Sequence, residues 1–156
     1  MKQQMTSSGF TLIELMVTIA VLAIIVSIAA PSISTQLANQ RVKSTAATLA
    51  NALKEAKVES VIRRQPLTIN FNDSSNIINL QHIVSGQIVS TIASYKYDAK
   101  STVKSETGSS NNEFKPNKVA EVATYIICDS NNTATPINIT VSATAVISNK
   151  PGGTCP

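Results

Sequence analysis

Histidine is almost missing from this sequence. His82 is the single one in 156 residues, tryptophan is absent, and aromatic residues make up 4%. A lone histidine among residues of strand character reads as a structural side chain and leaves little for acid–base chemistry. The chain contains no G-x-S-x-G, no H-E-x-x-H and no phosphate-cradling glycine loop. Asp73, Asp98 and Asp129 fall in polar, turn-like clusters, where Asp is expected to bond local backbone. The expectation is a protein that is no enzyme and takes no cofactor, metal or small-molecule ligand.

Cysteine is scarce as well. Cys128 and Cys155 form no C-x-x-C pair, and neither has the neighbouring His or Cys that a metal site needs. Two readings stay open at this point. One is a single disulfide, if the bulk of the chain is exported; the other is two free buried thiols in a reducing compartment. Concentrated charge is also lacking. Thirteen Lys and Arg against nine Asp and Glu leave a formal +4, yet only Arg63–Arg64 form an adjacent basic pair. A solvated surface with a slight lysine excess explains this better than a nucleic-acid or anionic partner. No internal repeat is present.

What the sequence does have is one long apolar run. After the polar MKQQMTSSG, whose only charge is Lys2, residues 10 to 33 read FTLIELMVTIAVLAIIVSIAAPSI. About 24 residues at 1.5 Å each are enough to cross a bilayer core of about 30 Å. The run is too long for a cleaved secretory signal, and Ala29-Ala30-Pro31 makes a poor cut site because helical character continues beyond it. From Gln36 to Arg64 the pattern turns amphipathic: Val42, Ala46, Leu49, Leu53 and Ala56 recur at spacings of four and three along one face. Pro66 stops that helix. Joined, Thr11 to Arg64 would make one helix roughly 80 Å long, with Pro31 inside it as a kink or local break. Its first half is apolar all round and suits lipid; its second half suits packing on a globular domain.

After Pro66 the periodicity becomes that of strands. Leu67, Ile69 and Phe71 alternate with polar residues, 72–76 are turn residues, and 77–80 resume, which reads as a hairpin. Residues 83–97 predict one or two further strands, 98–118 a long exposed loop, 119–128 a strand, 137–141 another, and 145–147 a short one. The tail NKPGGTCP is expected to be irregular. The fold class is α+β: a long helix on an antiparallel sheet or pair of sheets. About 120 residues outside the apolar run can form one modest core that needs reinforcement.

Glu14 is the most informative residue, an acid alone in the apolar run. A carboxylate at the centre of a membrane helix costs about 2.5–3.5 kcal/mol on insertion scales, and somewhat less near an end. Such a residue calls for a positive partner once the helix leaves lipid.

Residues 9 to 25, G-F-T-L-I-E-L-M-V-T-I-A-V-L-A-I-I, resemble the class III signal of type IV pilins and type II secretion pseudopilins. The resemblance implies cleavage by an inner-membrane prepilin peptidase between Gly9 and Phe10, and methylation of the new N-terminus at Phe10. It makes Glu14 the acid that pairs with a neighbouring subunit's amine during assembly, a pairing that sets register more than stability. It makes Pro31 the helix-breaking proline. The implied organisation is a leader at 1–9, a transmembrane and filament-core helix at 10–35, and a periplasmic globular domain at 36–156. The protein would first be single-pass in a bacterial inner membrane, then part of a filament beside other minor pilins and the major pilin.

Residues 44 to 69, STAATLANALKEAKVESVIRRQPLTI, are similar to the segment shared by minor pilins of the GspH, FimT and FimU type. YIICDS, 125 to 130, is similar to a strand-plus-cysteine element of FimU-like members. With Cys155 that likeness implies a disulfide holding the tail to the sheet. Some FimT-like pilins take up DNA through a C-terminal G-R-x-R element; SATAVIS at 142–148 has neither residue, and Lys150 is the only cation from there on. Phosphate binding needs several converging cations, so DNA is not an expected partner. A type IV pilus and a type II secretion pseudopilus both remain open, with the cysteine pair favouring the pilus.

Overall fold

The computed structural model describes residues 10–72, 74–106 and 111–155, with the side chains of 29–32 outside that set. One helix, α1 (Leu12–Arg63), is followed by eight strands: β1 (Leu67–Asn72), β2 (Ile77–Val84), β3 (Gln87–Lys96), β4 (Ser101–Ser105), β5 (Asn111–Phe114), β6 (Ala123–Asp129), β7 (Ile137–Val141) and β8 (Ile147–Pro151). The strands form two four-stranded sheets, ordered β3-β2-β1-β5 and β4-β6-β7-β8. Every pairing is antiparallel. This is the α+β class that the sequence predicts. Contacts divide the chain into two units, Met1–Thr35 and Gln36–Pro156.

Both ends of α1 are capped by local chemistry. At the start, Thr11 Oγ1 accepts a bond from the Glu14 amide at 3.3 Å, and Leu15 N donates to Thr11 O at 3.2 Å. At the end, Arg64 takes a left-handed φ of 54° and Gln65 N reaches back to Ser60 O at 3.2 Å. That closure satisfies a carbonyl of the last turn, with Arg64 in the position that usually takes glycine. Pro66 then prevents any continuation.

In the N-terminal unit, the apolar side chains from Leu12 to Ile28 are exposed on every side of the helix. Its hydroxyls are internally satisfied: Thr18 Oγ1 donates to Leu15 O at 2.8 Å and Ser27 Oγ to Ile24 O at 2.7 Å. The segment therefore presents an almost purely hydrocarbon surface.

In the globular unit, Val42, Ala46, Leu49, Leu53 and Ala56 are all buried, as their spacing predicts. They join one core with Leu67 and Ile69 of β1, Ile78 and Leu80 of β2, Val103 of β4, Phe114 of β5, Tyr125 and Ile127 of β6, and Ile139 and Val141 of β7. Small residues (Ala46, Ala52, Ala56) let the helix approach closely, and Phe71 meets Tyr125 edge-on at 5.5 Å between ring centres. The β1–β2 turn is held by Asn72, whose Oδ1 accepts from Ser74 N and Ser75 N at 2.9 and 3.2 Å. Ser85 and Gly86, both at positive φ, make the tight β2–β3 turn.

Three expectations for this region are corrected. Residues 98–118 are no continuous exposed loop, because β4 and β5 lie within them, with Ser101, Val103, Asn112 and Phe114 buried. Their strand character comes from β6 and β1, which supply the pairing, and not from any apolar alternation of their own. The strand expected from Val119 begins at Ala123; Val119 to Val122 form a connection that folds onto β5 through Phe114↔Ala120. The tail is regular as far as Pro151, since 147–151 form β8 along the edge of β7. Ala145 instead sits at φ 54° in the turn before it.

Candidate functional site

The sequence points to the start of α1. Gly9 lies outside the described residues. Phe10 is 78% exposed and immediately precedes the Thr11 cap. Glu14 stands in the first helical turn, where a carboxylate is favoured by the unpaired backbone amides and their positive end of the helix dipole. Among the described residues its side chain has no ion-pair partner. The geometry thus leaves the Glu14 carboxylate available to a group from outside the chain, one turn from the residue that cleavage would make the first. The side chain of Pro31 lies outside the described set. No single helix among the described residues is long and apolar enough to cross a membrane; Leu12–Ile28 and Ile33–Arg63 together pass by length and composition.

The second region is the C-terminal clasp. Cys128 and Cys155 are joined, with Cα atoms 6.0 Å apart. On β6, Tyr125 and Ile127 face the core; alternation puts Ile126 and Cys128 on the opposite face of the sheet, where both are nonetheless buried. The tail covers them. Gly152 N donates to Pro136 O at 2.9 Å, and Gly153 passes so close to β7 that a Cβ there would lie 2.5 Å from Asn138 Oδ1. Gly152 and Gly153 have φ of 126° and 111°, a region that disfavours other residues. The chain leaves edge strand β8, crosses β7 beside Asn138, whose register partner is Ile126, and ends at Cys128 of β6.

Polar contacts that no sequence pattern announced fix the helix to both sheets. Arg41 reaches Asp129 at 3.8 Å, Asn39 Oδ1 accepts from Thr135 N at 2.9 Å, and Lys57 Nζ donates to Ala145 O at 2.8 Å. Tyr95 OH donates to Glu55. Burial, then this bond and the charges of Glu55 and Glu59, push the Tyr95 phenol up to about 12. Burial pushes Tyr125 higher still, with Glu121 adding to it. The expectation of local backbone bonding at Asp129 holds in part: its Oδ2 accepts from Asn131 N and Thr133 Oγ1. His82 is a half-buried residue of β2. Among the described residues no group of three His, Cys, Asp or Glu could hold a metal.

Residues 4–30 match the family described as the prokaryotic N-terminal methylation motif. The fold is similar over about seven tenths of the chain to the type IV minor pilin FimU of Pseudomonas aeruginosa strain PAO1 in two crystal forms. In one the TM-score is 0.62 at 19% identity, covering 72% of this chain and 90% of that one; in the other it is 0.61 at 21%, covering 70% and 92%. A prokaryotic N-terminal methylation motif thus heads a chain with the type IV pilin fold. The minor pseudopilin EpsH of the Type 2 Secretion System of Vibrio cholerae matches at TM-score 0.60 and 8% identity, covering 71% of this pilin-like chain and 97% of EpsH. At such identities the structural likeness is one of fold. No curated protein matches the chain.

Proposed function

We propose that this chain is a structural, non-enzymatic subunit of the minor pilin kind, built into a type IV pilus where it serves initiation or tip assembly. The observation that carries this reading is the methylation motif with Glu14 one turn inside a helix whose exposed surface is hydrocarbon on all sides. Cutting at Gly9|Phe10 removes the leader and keeps the anchor, so the product stays in the inner membrane with residues 36–156 in the periplasm. The new amine of Phe10 in one subunit and Glu14 of another become a pair once both leave lipid, which fixes register in a helical array. The partners are prepilin peptidase during maturation, then other minor pilins and the major pilin. Twitching, adhesion or DNA uptake would be the resulting activity of the pilus. The test is intact mass spectrometry of membrane-extracted protein, expected to give a chain starting at methylated Phe10. An uncut chain, or one cut near Ala30, sinks the reading.

A second reading is a GspH-type pseudopilin of a type II secretion system, favoured by the fold likeness to EpsH. Deleting the chromosomal copy distinguishes them: loss of surface pili supports the pilus, and retention of secreted enzymes inside the periplasm supports secretion. A FimT-like role in DNA capture is disfavoured by the sequence of 142–150, which lacks a G-R-x-R element and holds Lys150 as its one cation.

A further inference from the structure

The sheet β3-β2-β1-β5 has one face in the core and one outside. Leu67, Ile69, Ile78 and Leu80 enter the core, so alternation sends Thr68, Asn70, Asn79 and Gln81 to the outer face. The register lines these up in two rows. In the first, Thr68 stands between Glu113 of β5 and Gln81 of β2, and Gln81 stands opposite Thr91 of β3. In the second, Asn111, Asn70, Asn79 and Ser94 follow one another across the same strands. Cross-strand bonds fix both rows. Gln81 Nε2 donates to Thr91 Oγ1 at 3.2 Å, Asn70 Nδ2 to Asn111 Oδ1 at 2.6 Å, and Ser94 Oγ to Asn79 Oδ1 at 2.7 Å. Gln81 Oε1, Asn70 Oδ1 and Asn79 Nδ2 are left without a partner among the described residues.

Beside the first row the face sinks into a cleft of about 340 Å3, lined by Thr68, Ile83, Ser85, Asn111, Glu113 and Glu121. Glu121 N donates to Glu113 O at 3.2 Å, which brings the two glutamates onto neighbouring segments. Asn112 Nδ2, donating to Glu121 O at 2.8 Å, holds that connection in place. Thr68 is 7% exposed, and its hydroxyl makes no hydrogen bond among the described residues. A hydroxyl withdrawn that far from water without a partner costs stability. The cleft is the side from which a partner can reach it.

We propose that this cleft and the two rows beside it bind a neutral oligosaccharide. Carboxylates at one end supply acceptors, and the amides and hydroxyls along the rows both donate and accept. Their complement is a ligand dense in O–H groups that do the same, with no charge of its own. Ile83 adds one apolar wall for the C–H side of a sugar ring. Other classes of ligand fit worse. A phosphate-bearing ligand would meet Glu113 and Glu121, with no cation in either row. A divalent cation would find the Lys115 ammonium already 3.8 Å from Glu113. Among the described residues no group of three His, Cys, Asp or Glu could hold one. A protein partner's interface is built around aromatic, Met or Arg side chains, and the rows contain none. Such binding belongs to the globular unit alone and adds a function to that of a filament subunit. No sequence motif announces it, because the rows are assembled from strands distant in the chain.

The test uses the full chain with its Cys128–Cys155 bond intact, in a zwitterionic detergent, since a sugar-headed one would compete. Ligand-observed NMR reads binding of hexasaccharides of glucose, mannose and N-acetylglucosamine, with a hexuronate and a heparin fragment as charged comparisons. At least one neutral hexasaccharide is expected to bind, with an affinity that neither EDTA nor raised salt changes. Thr68→Val keeps the side chain's shape and removes only its hydroxyl. It is expected to weaken binding about tenfold, as is Asn79→Ala, through the loss of one or two hydrogen bonds. Ser148→Ala, on the other sheet, is expected to bind as the wild type does. Thermal melting confirms that each variant is folded, and Asn79→Ala keeps the test open should the buried substitution disturb the sheet. Binding of none of the three neutral probes, binding of the charged ones alone, or loss of binding in EDTA overturns the proposal. So does wild-type affinity in a normally melting Thr68→Val or Asn79→Ala chain, or an equal loss in Ser148→Ala.

Discussion

Arg41 of α1 stands 3.8 Å from Asp129, the last residue of β6, whose side chain is 2% exposed. Asp129 neighbours Cys128, so one point of the sheet is tied both to the helix and to the C-terminal tail. Asp129 Oδ1 is buried and has no hydrogen bond, so Arg41 meets it as a charge alone. Arg41→Ala leaves that buried charge uncompensated. The expected loss is about 2–3 kcal/mol, below that of a fully buried pair because Arg41 is part exposed and Oδ2 keeps two hydrogen bonds. Urea unfolding of the globular unit measures it. An unchanged midpoint would mean that water already solvates Asp129.

The clasp should carry more. The cysteines are 27 residues apart, and closing a loop of that size is worth about 3.5 kcal/mol in the chain-entropy estimate. Cys155→Ser is expected to lower stability by about that amount and to raise the accessibility of Ile126. Thermal denaturation and hydrogen exchange at the β6 amides check the two effects. Losing stability with unchanged exchange at β6 would show that the tail stays in place without its bond.

Glu14→Ala is expected to leave insertion and cleavage at Gly9 intact and to reduce incorporation into filaments. Glu14→Gln should behave the same way, because a neutral amide cannot balance a buried amine. Fractionation of sheared filaments is the assay. Wild-type recovery of both variants would mean that Glu14 acts only on its own helix end.

Tyr95 gives the globular unit a pH dependence. Its phenol titrates at about 12 in the folded state, against about 10 in an unfolded chain. The proton is thus held more tightly when folded, and the stability it contributes is complete below pH 10 and lost as pH rises towards 12. Alkaline titration of stability should show a decline in that window that is smaller in Tyr95→Phe. An identical decline in the variant would place its cause elsewhere, with the lysines the first candidates.

The sequence made some of this legible and hid the rest for physical reasons. The buried face of α1 was readable because Val42, Ala46, Leu49, Leu53 and Ala56 repeat at the helical period and all enter the core. The methylation motif was readable because its residues are consecutive. β4 and β5 were not, since a strand that owes its pairing to partners distant in sequence, such as Val103↔Ile127 and Ile69↔Asn112, carries no signature of its own. Arg41 with Asp129 was hidden for the same reason: two common charged residues gain meaning only once the fold sets them side by side. The terminal glycines gave a usable signal that told only part of the story. They read as an irregular tail, which 152–155 are, and they also mark the close crossing over Asn138.

That crossing also makes the protection of β6 depend on the redox state of the last residues. Ile126 has no shield of its own on the outer side of β6, and the one covalent fastening of the tail beside it is the bond between Cys128 and Cys155. In a thiol-reducing cytoplasm the cover would hang by the Gly152 and Asn138 contacts alone, leaving a strand with apolar residues on both faces open to proteases. The reduced chain is therefore expected to be cut at β6 faster than the oxidised one. Comparing protease half-lives of the oxidised and reduced chain measures the difference; equal half-lives would show that the bond makes no difference to that protection.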